Sequence, residues 1–137
     1  MIDKVGGIIL NDKKILVQRK KNNRVECIIP GGKRENNETD FETLKRELYE
    51  ELNVELISAE FLGGYDDIAV FSNKPIHVQA YIANIKGKIK CNNEIKEVLW
   101  IDKDYKKKGI EVGSILGDYV IPELIEKGLM WLYYFII

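Results

Sequence analysis

The chain has 137 residues, 45% of them apolar, enough to bury one proper core, and no Pro- or Ser-rich linker divides it. Lys and Arg total 21 against 22 Asp and Glu, so the net charge of −1 excludes the strong basic field of a protein that binds nucleic-acid polymers or anionic membranes. Cys27 and Cys91 are too few and too isolated for a disulfide framework or a zinc site, which fits a reducing cytoplasm, and the opening Met1-Ile2-Asp3-Lys4 shows no signal peptide.

In chain order, residues 5–10 and 15–19 are β-rich runs separated by Asn11-Asp12-Lys13-Lys14, which predicts a hairpin. Residues 27–29 form a further short strand after the Asn22-Asn23 turn, and Pro30-Gly31-Gly32 then breaks regular structure. A helix is predicted over 40–52. Phe41, Leu44, Leu48 and Leu52 fall on one narrow apolar stripe, Thr39 and Glu42 fit a capping box, and Asn53 suits the left-handed residue that ends a helix. Strands follow at 55–62, 68–71, 76–85 and 98–101, punctuated by Gly63-Gly64 and Ser72-Asn73-Lys74-Pro75, with Lys106-Lys107-Lys108 as a solvated loop. A second helical segment lies within 115–129, with Val120, Ile121, Leu124, Ile125 and Leu129 on its apolar face and Pro122 in its first turn. No repeat is visible, and the order of elements gives a single α+β domain over 1–137. The apolar tail 129–137 is too short to span a bilayer and is expected to pack against the domain or at a dimer contact.

The first helix carries the chemistry. Glu47, Glu50 and Glu51 stand at i, i+3 and i+4, centred about 110° from the apolar stripe. Like charges at this spacing repel, and only Arg46, four residues before Glu50, offsets them locally. A hard divalent cation with oxygen ligands would neutralise the patch, and Mg2+ is commonly held by a few carboxylates together with substrate phosphates. A bare E-x-x-E-E would more often be a solvated acidic face. The glycines at 31 and 32 let backbone approach a metal or phosphate closely. Lys33, Arg34 and Lys45 are open to two uses, phosphate contact or exposed solubilising charge.

From Gly32 to Val54 the chain reads G-K-R-E-N-N-E-T-D-F-E-T-L-K-R-E-L-Y-E-E-L-N-V, which resembles the Nudix hydrolase signature G-x5-E-x7-R-E-U-x-E-E-x-G-U, with U aliphatic. Gly32, Glu38, Arg46, Glu47, Leu48, Glu50, Glu51 and Val54 match, and Asn53 replaces the motif's last glycine. The resemblance implies an α/β/α sandwich with a mixed sheet. It also implies hydrolysis of a nucleoside diphosphate linked to another group, with Mg2+ or Mn2+ bridging phosphates and activating water. By motif position Glu50 and Glu51 are metal ligands, Glu47 is a ligand or the general base, and the Gly31 carbonyl joins the metal shell. Arg46 and Glu38 orient the ligands from behind. A downstream loop often completes the site in this family, which points to Glu94, with Glu97 as the alternative.

The resemblance implies a small-molecule nucleotide substrate, acted on by a monomer or homodimer with no membrane involved. Many members begin W-x-L-P-G-G where this chain has C-I-I-P-G-G, so Cys27 takes the substrate-facing position and no aromatic platform is assured. Relatives specific for ADP-ribose often carry a proline where this chain has Ala69, Val70 and Phe71, and the extended signatures for NADH and coenzyme A are absent. Elimination favours a MutT-like enzyme that converts an unmodified or oxidised nucleoside triphosphate to the monophosphate and pyrophosphate. ADP-ribose, sugar nucleotides and dinucleoside polyphosphates remain as alternative substrates, and a binding or sensing module with little turnover is the alternative of another class. Phe71, Tyr65 and Tyr81 belong to a base pocket or to the core, and His77 is expected as a partly exposed strand residue.

Overall fold

The computed structural model describes residues 1–22, 24–68 and 73–130. Its strands are β1 (Ile2–Ile8), β2 (Leu10–Asn11), β3 (Lys14–Lys20), β4 (Gly31–Lys33), β5 (Glu55–Ile68), β6 (Pro75–Lys86) and β7 (Ile95–Ile101); the helices are α1 (Asp40–Leu52) and α2 (Ile121–Glu126), the latter preceded by a π-helical segment, Ile115–Val120. A four-stranded mixed sheet runs β4-β1-β6-β5, with β1 parallel to β6 and the other pairs antiparallel; a three-stranded antiparallel sheet runs β2-β3-β7. The architecture is the expected α+β sandwich with a mixed sheet.

Two apolar clusters explain the layering. Alternation along β1 sends Val5 to the α1 side, where it meets Leu44, Leu48 and Leu52, while Ile8 joins Leu116, Val120, Ile121 and Leu124 on the other side. Gly7 lies against α1: a Cβ there would stand 3.1 Å from Leu44. Met130 is fully buried among the second set, so the apolar tail 129–137 begins in the core; its residues 131–137 lie outside the described residues. No helix among the described residues is long and apolar enough to cross a membrane.

Several expectations need correction. Phe41 is 41% exposed, and the buried residue in that turn is Thr43, whose hydroxyl donates to the Thr39 carbonyl at 3.0 Å. Gly63-Gly64 does not interrupt the chain: β5 runs through it, paired with Ala80 and Gln79 of β6, and bulges between Phe61 and Gly63. Gly31 and Gly32 do not end regular structure but open β4, where Gly31 pairs with Gly6 and Gly32 with Val5. The stretch 27–29 contributes isolated bridges, Gln18 to Ile28 and Cys27 to Val112, and no strand. The second helix is two pieces. The Ile121 N–H bonds to the Leu116 carbonyl, five residues back, and α2 begins beside Pro122, whose missing N–H is harmless in a first turn.

Candidate functional site

The ends of α1 are fixed by its own sequence. The Glu42 N–H donates to Thr39 Oγ1 at 3.1 Å and the Thr39 N–H to Glu42 Oε1 at 3.0 Å, the expected capping box. Asn53 is left-handed at φ 59°, and its N–H reaches the Tyr49 carbonyl. Beyond it, the loop between β6 and β7 covers the last turn: Asn93 Nδ2 donates to the Glu50 carbonyl at 3.0 Å, and the Asn92 and Lys90 N–H groups donate to those of Glu51 and Leu52, both at 2.9 Å. At the other end Asp40 accepts from Arg34 Nη1 and from the Tyr81 hydroxyl, which ties the first turn to β6. Burial, then the Asp40 bond, pushes Tyr81 up to about 12.

Between these anchors the three glutamates take different environments. Glu51 is buried, 3% exposed, and turns beneath β4: its Oε1 accepts the Gly31 N–H at 2.9 Å and its Oε2 accepts Gln18 Nε2 at 3.1 Å. Burial above all, with the neighbouring Glu47 charge, raises its pKa to about 7 against the lowering effect of those hydrogen bonds. Glu47 lies beneath Gly32, where a Cβ would stand 2.4 Å from its carboxylate. Glu50 stays exposed. Gly31 has φ 142° and any Cβ there would meet the Val5 carbonyl at 2.1 Å, so both glycines are required for this approach of strand to helix.

Arg46 organises the group. Its Nε and Nη2 grip both oxygens of Glu38 at 2.8 Å, Nη1 bonds Glu47 Oε1 at 2.8 Å and meets Glu50 Oε2 at 3.5 Å, and Nη2 also reaches the Lys33 carbonyl at 3.1 Å. The grip on Glu38, helped by the Glu35 N–H, holds that carboxyl down at about 2, and Arg46 itself is raised. Arg46 thus clamps the segment after β4 onto the helix while facing two of the three glutamates.

Alongside lies a cleft of about 450 Å³. Its lining combines Gly31 and Gly32 with the cations Lys4, Lys20, Arg24 and Lys33, the carboxylate Glu26, and the apolar Ile2, Ile28, Ile29, Ile76, Val78 and Leu116. A polyanion joined to a flat, less polar group fits such a mixed lining.

Glu38, Arg46, Glu47 and Glu50 come together, Glu51 joins Gly31, and Lys33 lines the cleft. Arg34 does not face the cleft, being paired with Asp3 at 3.1 Å and with Asp40. Cys27 is fully buried in the core and its thiol is pushed up by burial, so it offers no surface to a substrate. Glu94 is exposed and its carbonyl accepts the Lys21 N–H, while Glu97 pairs with Arg19 at 3.0 Å. Lys45 is exposed, and Phe71 lies outside the described residues. Among the described residues no three acidic, imidazole or thiol groups already converge on one metal position. Lys4, Lys20 and Gln18 are additions to the sequence reading. Gln18 directly follows the apolar run Ile15-Leu16-Val17 and opens the polar run Gln18-Arg19-Lys20, so nothing local signals its burial.

Residues 2–107 match the family model of the NUDIX domain. No curated protein sequence matches the chain. Among solved structures, a NUDIX hydrolase from Nitrosomonas europaea superposes with a TM-score of 0.77 at 15% identity, over 99% of this chain and 95% of that one. The MutT protein from Methanosarcina mazei Go1 gives 0.75 at 22% identity, over 92% and 94%. The E. coli ORF135 protein gives 0.67 at 26% identity, over 91% and 86%. With the signature helix in place beside Gly31 and Gly32, and the family model spanning most of the chain, the protein belongs to the Nudix family, hydrolases of pyrophosphate bonds in nucleotide-linked substrates.

Proposed function

We propose that the protein converts an unmodified or oxidised nucleoside triphosphate to the nucleoside monophosphate and pyrophosphate, and that it requires Mg2+ or Mn2+. The observation that carries this reading is the packing of Glu51 and Glu47 beneath Gly31 and Gly32, two glycines that line a cleft rich in cationic and apolar side chains. The donor set fits a hard divalent cation: carboxylate oxygens of Glu47, Glu50 and Glu51, the carbonyl of Gly31, and Glu94 from the loop that caps the helix. Such a cation, when bound, stabilises charge on the attacking and leaving oxygens and makes water a better nucleophile. The chain's own groups do the rest. Glu51, buried and fixed at both oxygens, gains from a neighbouring positive charge; Glu47 accepts a proton or serves as a ligand; Arg46, steadied by Glu38, keeps Glu47 and Glu50 oriented. Lys33 and Lys20 face the phosphates, and the apolar walls take the base. In this reading residues 1–137 act as one domain in a reducing cytoplasm.

The test is a product assay. A panel of unmodified and oxidised nucleoside triphosphates, ADP-ribose, sugar nucleotides and dinucleoside polyphosphates is incubated with Mg2+ and analysed for monophosphate and pyrophosphate. Cleavage of a triphosphate between its α and β phosphates, abolished by excess chelator, is expected. Preferential turnover of ADP-ribose or a sugar nucleotide refutes the substrate, and absence of turnover on every compound favours a binding module.

A further inference from the structure

Lys4 is a cation in an unusual place. Strand alternation sets Ile2, Lys4 and Gly6 on the face of β1 that lines the cleft, and Lys4 sits in register opposite Lys33 of β4. It is half-buried, yet no salt bridge within 4 Å holds Lys4, Lys20 or Lys33 among the described residues. Desolvation, followed by the charges of Lys20 and Lys33, pulls its pKa below the ordinary lysine value, and the more distant attractions of Glu51 and Glu47 do not reverse this. Among the described residues Lys4, Lys20, Arg24 and Lys33 line the cleft against one lining carboxylate, Glu26, so an excess of positive charge remains, and the three ammonium groups repel one another.

The carboxylates do not fill that role in the working state, because the proposed reaction engages them with a divalent cation. Beyond the single carboxylate of Glu26, the source of negative charge that can balance the lysines is the substrate. A nucleoside triphosphate carries about four negative charges near neutral pH, concentrated toward its terminal phosphate, whereas a diphosphate esterified at both ends carries about two. A cluster of three lysines matches the former.

We propose that Lys4 is a substrate-positioning residue whose ammonium group, with Lys20 and Lys33, binds the polyphosphate chain and selects substrates with three consecutive phosphates over diphosphates capped by a second sugar. The proposal rests on the hydrolase reading for its substrate, but the anion subsite itself is testable without turnover. Lys4 is suited to this task because its strand is hydrogen-bonded on both sides, to β4 and to β6, which fixes the base of the side chain while leaving the ammonium group to follow the ligand.

The experiment titrates the full chain with inorganic tripolyphosphate in chelator, by calorimetry, for wild type, Lys4→Met and Lys4→Arg, each checked by a thermal melt. Loss of affinity of about five- to tenfold in Lys4→Met, with most of it restored in Lys4→Arg, is the expected result. Should Lys4→Met not fold, Lys4→Gln takes its place. Kinetics with Mg2+ should then show KM for a nucleoside triphosphate rising about tenfold in the Lys4→Met variant with kcat within twofold, and a smaller rise for ADP-ribose. Unchanged tripolyphosphate affinity in a folded variant overturns the proposal, as does an equal loss on both nucleotides. A fall in Mn2+ affinity with tripolyphosphate binding intact also overturns it, since Lys4 would then serve only as a counter-ion to Glu47 and Glu51. If no nucleotide is turned over yet tripolyphosphate binding still depends on Lys4, the subsite stands and the hydrolase reading fails.

Discussion

Replacing Glu51 by glutamine removes one charge from the most enclosed carboxylate of the site while keeping its shape. In metal-free protein the folded-state pKa of about 7, against 4.5 for the free side chain, means that the native state holds a proton which the unfolded chain releases in that interval. Stability contributed by this group is therefore fully present below pH 4.5 and is lost as pH rises through about 7. At about 1.4 kcal/mol per pH unit, the loss reaches about 3 kcal/mol by pH 8, a ceiling that local relaxation lowers toward 1–2 kcal/mol. Glu51→Gln should escape it. The Gly31 N–H keeps its acceptor, and the Gln18 amide, whose Oε1 is buried without a partner, turns over to accept from the new amide. Denaturant melts in chelator should show the variant more stable than wild type at pH 8 by about 1–3 kcal/mol, with the gap closing by pH 5. Adding Mg2+ should reverse the order, because wild type gains more binding free energy from it than a variant that lacks one ligand charge, and the same variant should lose most of its hydrolysis. Parallel pH–stability curves for the two proteins in chelator would refute the argument, as would full activity of the variant.

Three other outcomes follow from the geometry. Asn53→Gly should match or slightly exceed wild type in a thermal melt, while Asn53→Val should cost about 1–2 kcal/mol, since φ of 59° suits the first and not the second; equal melts would show that the helix end tolerates any residue. Glu38 sits at about 2 in the folded protein, so its contribution is complete above the free value of 4.5 and is lost as pH falls toward 2; Glu38→Gln should flatten the decline in stability over that range, measured by denaturant melts at pH 6 and pH 3. His77 faces Gln79 Oε1 at 2.7 Å and Asp66 Oδ1 at 2.8 Å, which raises its pKa, so the chain's one imidazole should titrate above the ordinary 6.5 by NMR and move down in Asp66→Asn.

What was legible in the sequence was what is decided locally. Thr39, Glu42 and Asn53 act within one turn of themselves, so α1 begins and ends where the pattern placed it, at Asp40 and Leu52. Spacing put Glu47, Glu50 and Glu51 on one side of the helix, but their separate fates depend on what lies above them. Glu51 is buried because β4 crosses it, and β4 exists because Gly31 and Gly32 can pair with β1. The same nonlocal pairing hid the cleft: nothing in the spacing of Lys4, Lys20 and Lys33 announces that three strand residues meet. Phe41 failed as a core residue although the helical period includes it, since it extends beyond the surface that Leu44, Leu48 and Leu52 cover. Gly63-Gly64 signals a break only for an isolated strand, whereas the long antiparallel partner β6 carries β5 across it.

The loop after β6 closes three successive carbonyls of α1, those of Glu50, Glu51 and Leu52, through Asn93, Asn92 and Lys90. Two of those carbonyls belong to the glutamates assigned to the metal, so the loop sets their height as well as the helix's end. For anyone grafting a tag, sensor or second domain onto this scaffold, that makes residues 90–93 a poor point of entry even though Lys90 and Asn93 reach the surface. An insert there would uncap the last turn of the helix at Glu50 and Glu51 themselves. The exposed turn at Lys106-Lys107-Lys108, closed by its own hydrogen bonds to Asp102, Asp104 and Tyr105, would accept the same cargo without tugging on the carboxylates.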